Sequence, residues 1–343
     1  MADPLGIVVG YGSMGRRHAN AFATLTPALY VVDAAVPARD AARRERPTAV
    51  VAGDVAELDH LGLPWHSAIA VIATWGPSHA AIFDALAGRG VRKILCEKPL
   101  ATSVATADAM IRRATTDGVT LVSNHYFRNS GYVTTLRRLV DAHDFGAPLM
   151  MTVVGGAYCL VTNGIHCLDL AMQVFEAAPD AVMSTAHGDA INPRSKGLPF
   201  FDGSSTWRFG GGRQLTIALT NRSSVHPAIQ IFFRDGIVDI DEWFHVTLRR
   251  RPLETRGGAV TRTGDATDVV FRGALPDVLS MEDALREGLT RLMTGTPSAS
   301  PATAAAAALN ACVGGLAAAR EERLLCLPLT PDSSWGRQEW PIT

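Results

Sequence analysis

Gly6-Ile7-Val8-Val9-Gly10-Tyr11-Gly12-Ser13-Met14-Gly15 is the stretch that decides the fold. A short β-run empties directly into a G-x-G-x-x-G turn. Ser13 to Thr24 then reads as a helix, Leu29 to Val32 as a second strand, and Asp33 stands at its end. Glycine hexamers of this kind occur in many loops; the strand before, the helix after and the acid beyond are what give this one meaning. Asp33 lies 18 residues past Gly15, near the spacing of about 20 expected of a ribose-binding carboxylate.

Each glycine has a physical role in that reading. Gly10 permits the tight turn, Gly12 lets the backbone approach a pyrophosphate, and Gly15 lets the helix pack close to its strand. Ser13 and Met14 open the helix, whose unpaired N–H groups and positive dipole end would face the phosphates. The alternative is a tight βα turn that binds nothing. Asp33 favours NAD over NADP, because a carboxylate accepts from both ribose hydroxyls and repels a 2′-phosphate. Ala34 and Ala35 offer no cation for that phosphate, although Arg39 is within reach.

At 343 residues the chain is long enough for two domains. A hydrophobic content of 47% supplies large cores, and no stretch is read as a membrane span of about 20 apolar residues. The opening Met1-Ala2-Asp3-Pro4 lacks the charged and apolar regions of a signal peptide, so a cytoplasmic location is expected. Thirty-two basic residues face 33 acidic ones. The one basic run, Arg249-Arg250-Arg251, carries no interleaved aromatics, so no nucleic-acid partner is expected. The five cysteines form no CxxC pair and read as reduced, mostly buried thiols.

The first third alternates β and α. After Asp33 come a charged helix over Ala38–Arg46, a weak strand at Ala49–Ala52 and the apolar run Ala68–Ala73, as expected of a parallel strand covered on both faces. Thr74 ends that run, and Trp75-Gly76-Pro77-Ser78-His79 leads into a helix through Leu86. Ile94–Cys96 is the next strand, with Glu97-Lys98-Pro99 at its carboxyl end. Ser103 caps a helix to Thr116, and Thr120–Ser123 closes the set. Six strands with intervening helices predict a doubly wound parallel sheet, whose ligands lie beyond the carboxyl ends of its strands. Gly10, Asp33, Thr74 and Lys98 all fall at such ends.

Beyond Ser123 the pattern changes. Helices are expected over Val133–Ala142, Gly164–Ala177, Met281–Met293 and Pro301–Arg320, with a strand at Leu149–Val154. From Val182 to Phe271 runs of β alternation are split by turn signals at Gly210-Gly211-Gly212, Asp235-Gly236 and Gly257-Gly258. The expected organisation is a dinucleotide-binding domain over residues 1–124 and an α+β domain with an open, mostly antiparallel sheet over 125–343.

A lysine at the sheet's carboxyl edge, followed by proline, is held in an extended turn. An ammonium at Lys98 can hydrogen-bond a substrate oxygen and exchange a proton with it while hydride moves at the nicotinamide. The plain alternative is a solvated charge. In Thr162-Asn163-Gly164-Ile165-His166-Cys167-Leu168-Asp169, Asn163 is a good N-cap and Ile165, Leu168, Met172 and Phe175 form the buried stripe. His166 then sits in the first turn, off the stripe, where the helix dipole keeps its ring neutral and fit to act as a base. The alternative is a capping or packing histidine. A metal cluster of Cys159, His166, Cys167 and Asp169 is not expected, because adjacent His and Cys point two ways on a helix.

Together, Gly10-Tyr11-Gly12-Ser13-Met14-Gly15, Thr74 with His79, Glu97-Lys98-Pro99 and Gly164-Ile165-His166-Cys167-Leu168-Asp169 resemble the Gfo/Idh/MocA family of oxidoreductases. The resemblance covers nearly the whole chain. It implies a Rossmann domain, an open-faced β-sheet domain, NAD(P), and sugars, cyclitols or their derivatives as substrates. It also implies Lys98 as the catalytic lysine, His166 as an acid/base, and cofactor contacts around Thr74, Trp75, His79, Glu97 and Lys98. Many sugar and inositol dehydrogenases of the family carry aspartate four residues before the histidine. Thr162 stands there as the site candidate, and its hydroxyl can hydrogen-bond a substrate hydroxyl but cannot take its proton at neutral pH. Trp75 stands where the family often has proline, and Tyr158 offers a hydroxyl or a wall of the site.

The expectation is therefore an NAD-dependent oxidoreductase acting on a secondary alcohol or ketone of a sugar, cyclitol or nucleotide sugar, NADP being the less favoured cofactor. An imine reductase, an NAD-dependent glycosidase and a non-catalytic NAD-binding regulator are the alternatives. A homodimer or homotetramer, formed through the outer face of the second sheet, is implied by the resemblance.

Overall fold

The computed structural model describes residues 4–156, 160–186, 202–220, 222–255 and 264–342. Tyr158, Cys159 and the Gly257-Gly258 turn lie outside the described residues. In chain order the first elements are β1 (Leu5–Val9), α1 (Ser13–Phe22), β2 (Ala28–Val32), α2 (Val36–Glu45), β3 (Val50–Ala52), β4 (Ala68–Ile72), α3 (His79–Gly88), β5 (Lys93–Cys96), α4 (Val104–Thr116), β6 (Thr120–Ser123) and α5 (Tyr126–Asn129). The six strands form one sheet in the order β3-β2-β1-β4-β5-β6, every pair parallel. This is the doubly wound sheet expected from the sequence.

The local causes are simple. β1 and β4 are buried along their whole length, which is why they read as unbroken apolar runs. α1 buries Gly15, His18, Ala19 and Phe22, the one-face spacing of an amphipathic helix. α2 begins two residues earlier than expected, because Pro37 occupies its first turn, where a missing N–H does no harm. Ser103 caps α4 as expected, its Oγ accepting from the Thr106 N–H at 3.1 Å.

The chain continues with α6 (Tyr132–Ala142), β7 (Pro148–Gly155), α7 (Gly164–Phe175), β8 (Pro179–Ala186), β9 (Gly203–Phe209), β10 (Arg213–Leu219), β11 (Ala228–Phe233), β12 (Gly236–Ile240), β13 (Val246–Arg250), β14 (Asp268–Gly273), α8 (Met281–Thr294), α9 (Ala302–Glu321), β15 (Leu325–Cys326) and α10 (Ser334–Arg337). The second sheet runs β14-β13-β12-β11-β7-β10-β9-β8-β15. All its pairs are antiparallel except β7 with β10, so the expected mostly antiparallel sheet is present. β11 and β12 form a hairpin around the expected turn at Asp235-Gly236, with Ile229 opposite Ile240.

The compact units are not contiguous in sequence. One comprises residues 1–130, 279–309 and 330–343, the other 131–278 and 310–329. This differs from a single boundary at 124. Leu289 and Leu292 of α8 belong to the same buried cluster as Val8, Tyr11 and Phe22, which draws the helix into the first unit. β15 pairs with β8, which draws residues 325–326 into the second. Two further corrections concern helices. α7 is buried almost all round rather than along one stripe, with Leu170, Ala171 and Val174 enclosed alongside Ile165 and Leu168. α9 is long and apolar enough by composition to match a membrane span, contrary to the reading that no such stretch exists. Two-thirds of its apolar window is buried within the fold.

Candidate active site

The order of the first sheet reverses between β1 and β4, and a groove of about 480 Å³ opens beyond their carboxyl ends. Such switch points are where doubly wound sheets bind ligands. Gly10 and Gly12 line the groove after β1, Asp33 after β2, and Thr74 and Trp75 after β4.

The turn at its floor is built for close approach. Gly10 has φ of +95°, its N–H donates to the Val32 carbonyl at 2.7 Å, and a Cβ there would lie 2.6 Å from the Ala73 carbonyl oxygen. Gly15 is buried against the turn itself. Gly12, by contrast, faces open space and forms the N-cap of α1, so the cap residue itself offers no side chain to the first-turn N–H groups. Ser13 and Met14 follow it in the first turn. An uncapped helix N-terminus open to solvent fits a pyrophosphate.

Asp33 is fixed in place by the backbone. Its Oδ2 accepts from the Tyr11 N–H at 2.7 Å and its Oδ1 from the Ala35 N–H at 2.8 Å. Each oxygen keeps a further lone pair for a ribose hydroxyl. Asp54, at the end of β3, adds a second carboxylate to the groove lining. Arg39 Nη1 donates to the Asp33 and Ala34 carbonyls at 2.8 and 2.7 Å, an arrangement that braces the turn. The residues therefore fit an NAD-type dinucleotide.

At the β4 end, Thr74 Oγ1 accepts from Ser78 Oγ at 2.8 Å, and the Trp75 side chain is exposed. His79 follows at the start of α3. It is fully buried and absent from the groove lining; Nδ1 lies 2.9 Å from the Pro99 carbonyl and Nε2 3.1 Å from that of Thr74. Burial pushes its pKa below the ordinary histidine value, outweighing the pull of the two carbonyls. Its work is to tie the end of β4 to the segment after β5.

Glu97 is buried too, and Lys98 half-buried beside it. Burial alone would raise the Glu97 carboxyl. Hydrogen bonds from His18 and Asn124, with the charge of Lys98 nearby, outweigh burial and bring it below its usual value. Neither Glu97 nor Lys98 lines the groove. Sequence reasoning missed His18 and Asn124 altogether. The available signal was a histidine on the buried 15/18/19/22 face of α1, which requires a polar partner.

In the second unit Thr162 precedes α7 and His166 lies half-buried in its first turn. Asn163 is the N-cap residue, but its side chain makes no capping bond, a correction to the sequence reading. Asp169 is fully buried, and its Oδ2 accepts from Gln173 Nε2 at 2.9 Å. Burial pushes the Cys167 thiol up to about 12, which makes it inert near neutral pH. Among the described residues no three His, Cys, Asp or Glu side chains converge on a metal position.

Residues 6–125 match the model of an oxidoreductase family described by its NAD-binding Rossmann fold, Gfo/Idh/MocA. That match covers about a third of the chain and is a likeness of its first domain. Inositol 2-dehydrogenase 3 of Saccharopolyspora erythraea is 31% identical to the chain over 164 residues, 46% of this chain and 44% of that protein. The chain matches less than half the length of the curated relatives. Similar folds span nearly its whole length. An oxidoreductase from Agrobacterium radiobacter, solved with NAD+, L-tartaric acid and magnesium, superposes with a TM-score of 0.73 at 15% identity, covering 94% of this chain and 98% of that one. UDP-N-acetylglucosamine 3-dehydrogenase from Acidithiobacillus ferrooxidans does so with a TM-score of 0.69 at 19% identity, covering 92% and 98%. The matched segment, residues 6–125, contains the groove and every residue that lines it.

Proposed function

We propose that the chain is an NAD-dependent oxidoreductase interconverting a secondary alcohol and a ketone on a polyhydroxylated substrate, a sugar, cyclitol or nucleotide sugar. The observation that carries this reading is a lysine at the end of β5, on the carboxyl edge of the sheet that bears the dinucleotide groove. The names of the similar proteins, dehydrogenases of inositol and of UDP-N-acetylglucosamine, support a substrate rich in hydroxyls.

The bound nicotinamide supplies or accepts the hydride. In this reading the glycine turn and first turn of α1 hold the pyrophosphate, and Asp33 binds the adenosine ribose. Lys98 hydrogen-bonds the reacting oxygen and holds or releases its proton at Nζ, with His166 as the second proton-handling group. Thr162 orients a hydroxyl without taking its proton. The chain has only three lysines, Lys93, Lys98 and Lys196, among its 32 basic residues. Arginine carries its cationic surface, so a lysine at 98 suits a role that requires deprotonation, which guanidinium cannot provide.

The reduced state of the buried cysteines Cys96, Cys167 and Cys312 suits a cytoplasmic enzyme. Assembly into a dimer or tetramer through the outer face of the second sheet is part of the same proposal, supported by the exposed Val154 and Met183 on its strands.

The test is NAD+ reduction followed at 340 nm with a panel of myo-inositol, aldoses, keto-sugars and UDP-sugars, alongside NADH binding. Lys98→Ala should lower turnover ~10²–10⁴-fold and leave NADH affinity nearly unchanged. A Lys98→Ala enzyme as fast as wild type would overturn the assignment. Tight NADH binding with no reacting panel member would favour a cofactor-binding regulator.

A further inference from the structure

Glu97 is 5% exposed, and its Oε1 accepts two hydrogen bonds, from His18 Nε2 at 2.7 Å and from Asn124 Nδ2 at 2.9 Å. Asn124 Oδ1 accepts in turn from Asn129 Nδ2 at 3.4 Å. The backbone is tied down as well. The Glu97 N–H donates to the Ile72 carbonyl at 2.8 Å and the Asn124 N–H to that of Cys96 at 3.2 Å. The peptide leading into Lys98 is thus held from β4, from α1 and from the segment after β6.

A buried carboxylate is costly unless hydrogen-bonded, and it can only accept. The proton between the two side chains therefore sits on His18 Nε2. The ring is fully buried and its Nδ1 has no hydrogen-bond partner. Placing a histidine there leaves one polar atom unsatisfied, an expense that packing does not explain. The bond to Glu97 does.

Other titratable groups face the same point. His79 of α3 and Cys96 of β5 both feel the Glu97 charge. Burial disfavours the charged form of each, so near neutral pH both are uncharged. Glu97 is then the charged neighbour of Lys98 among these groups. His18 also stands three residues past Gly15, so the helix that carries the dinucleotide turn also carries the donor to Glu97.

We propose that His18 is a positioning residue for Lys98: by donating to Glu97 it holds a buried anion beside the lysine, and so sets the pH at which the lysine releases its proton. The catalytic consequence rests on the reading of Lys98 as the proton donor.

Because the chain has three lysines, full-length protein labelled with [13Cε]lysine yields a simple spectrum. The Lys98 signal is assigned by its loss in Lys98→Arg and titrated in wild type, Glu97→Gln, His18→Ala and His18→Gln. NADH titration of each variant checks that the first unit is folded. Glu97→Gln and His18→Ala should each lower the Lys98 midpoint by about one pH unit, a tenfold loss of proton affinity. His18→Gln, whose amide can still donate, should stay within about 0.3 unit of wild type. The alkaline limb of the turnover profile should move with the midpoint. An unchanged midpoint in Glu97→Gln and His18→Ala would overturn the proposal. If His18→Ala no longer binds NADH, the near-isosteric Glu97→Gln decides alone. Full turnover by Lys98→Ala, with the midpoint shifts present, would overturn the catalytic reading of Lys98 and leave the His18–Glu97 brace standing.

Discussion

Gly15 approaches Gly10 so closely that a Cβ on Gly15 would lie 1.8 Å from the Gly10 carbonyl oxygen. The atom it would meet is backbone, so no rotamer change relieves the clash. Gly15→Ala should therefore push α1 away from β1, destabilising the protein by about 3 kcal/mol, the upper part of the usual overpacking range. Gly12→Ala meets nothing within 4 Å. It should fold normally yet bind NADH more weakly, because its methyl group enters the space assigned to the pyrophosphate. Urea unfolding and NADH titration of the two variants separate packing from binding.

Asp33 should make NADH the tighter-bound cofactor. Its carboxylate accepts from two backbone N–H groups, so Asp33→Ala should both narrow the NADH–NADPH gap and cost about 1–3 kcal/mol of stability for donors left unpaired. Parallel titrations with both cofactors check the first effect and thermal unfolding the second. A wild-type preference for NADPH would refute the assignment.

Burial of His79 predicts a pH dependence of stability. Its folded pKa lies below the unfolded value of 6.5, so the unfolded state binds more protons between the two. The stability it contributes is complete above about pH 6.5 and is lost as pH falls toward the folded pKa. The difference in unfolding free energy between wild type and His79→Gln should shrink from pH 7.5 to pH 5.5. A constant difference would contradict the buried neutral ring.

Assembly is testable on the outer face of the second sheet. Val154 is 54% and Met183 56% exposed, on β7 and β8. Light scattering at micromolar concentration should show a dimer or tetramer, and Val154→Glu should shift it toward monomer by burying a charge at the contact. A monomeric wild type would exclude this interface.

By itself the sequence determined the parts whose causes are local. Unbroken apolar runs mark β1 and β4, because a parallel strand buried on both faces admits no polar residue. The glycine turn and Asp33 declare the groove, since φ, close approach and spacing are properties of a few adjacent residues. Helix starts were legible where a cap speaks for itself, as at Ser103, and slipped at α2, where the permissive effect of Pro37 was not read.

Only the tertiary structure decided which elements share a core and which polar groups share a proton. An amphipathic pattern says that α8 buries a face; it does not say that Leu289 and Leu292 join the cluster around Val8 and Phe22. β15 is two residues long and exists because β8 offers it an edge. His79 carries no local mark of being fully buried between two carbonyls. His18 and Glu97 are 79 residues apart in sequence, and their 2.7 Å contact follows from packing α1 against the sheet. Backbone propensity acts over a few residues, whereas desolvation and pairing depend on neighbours that folding alone brings together.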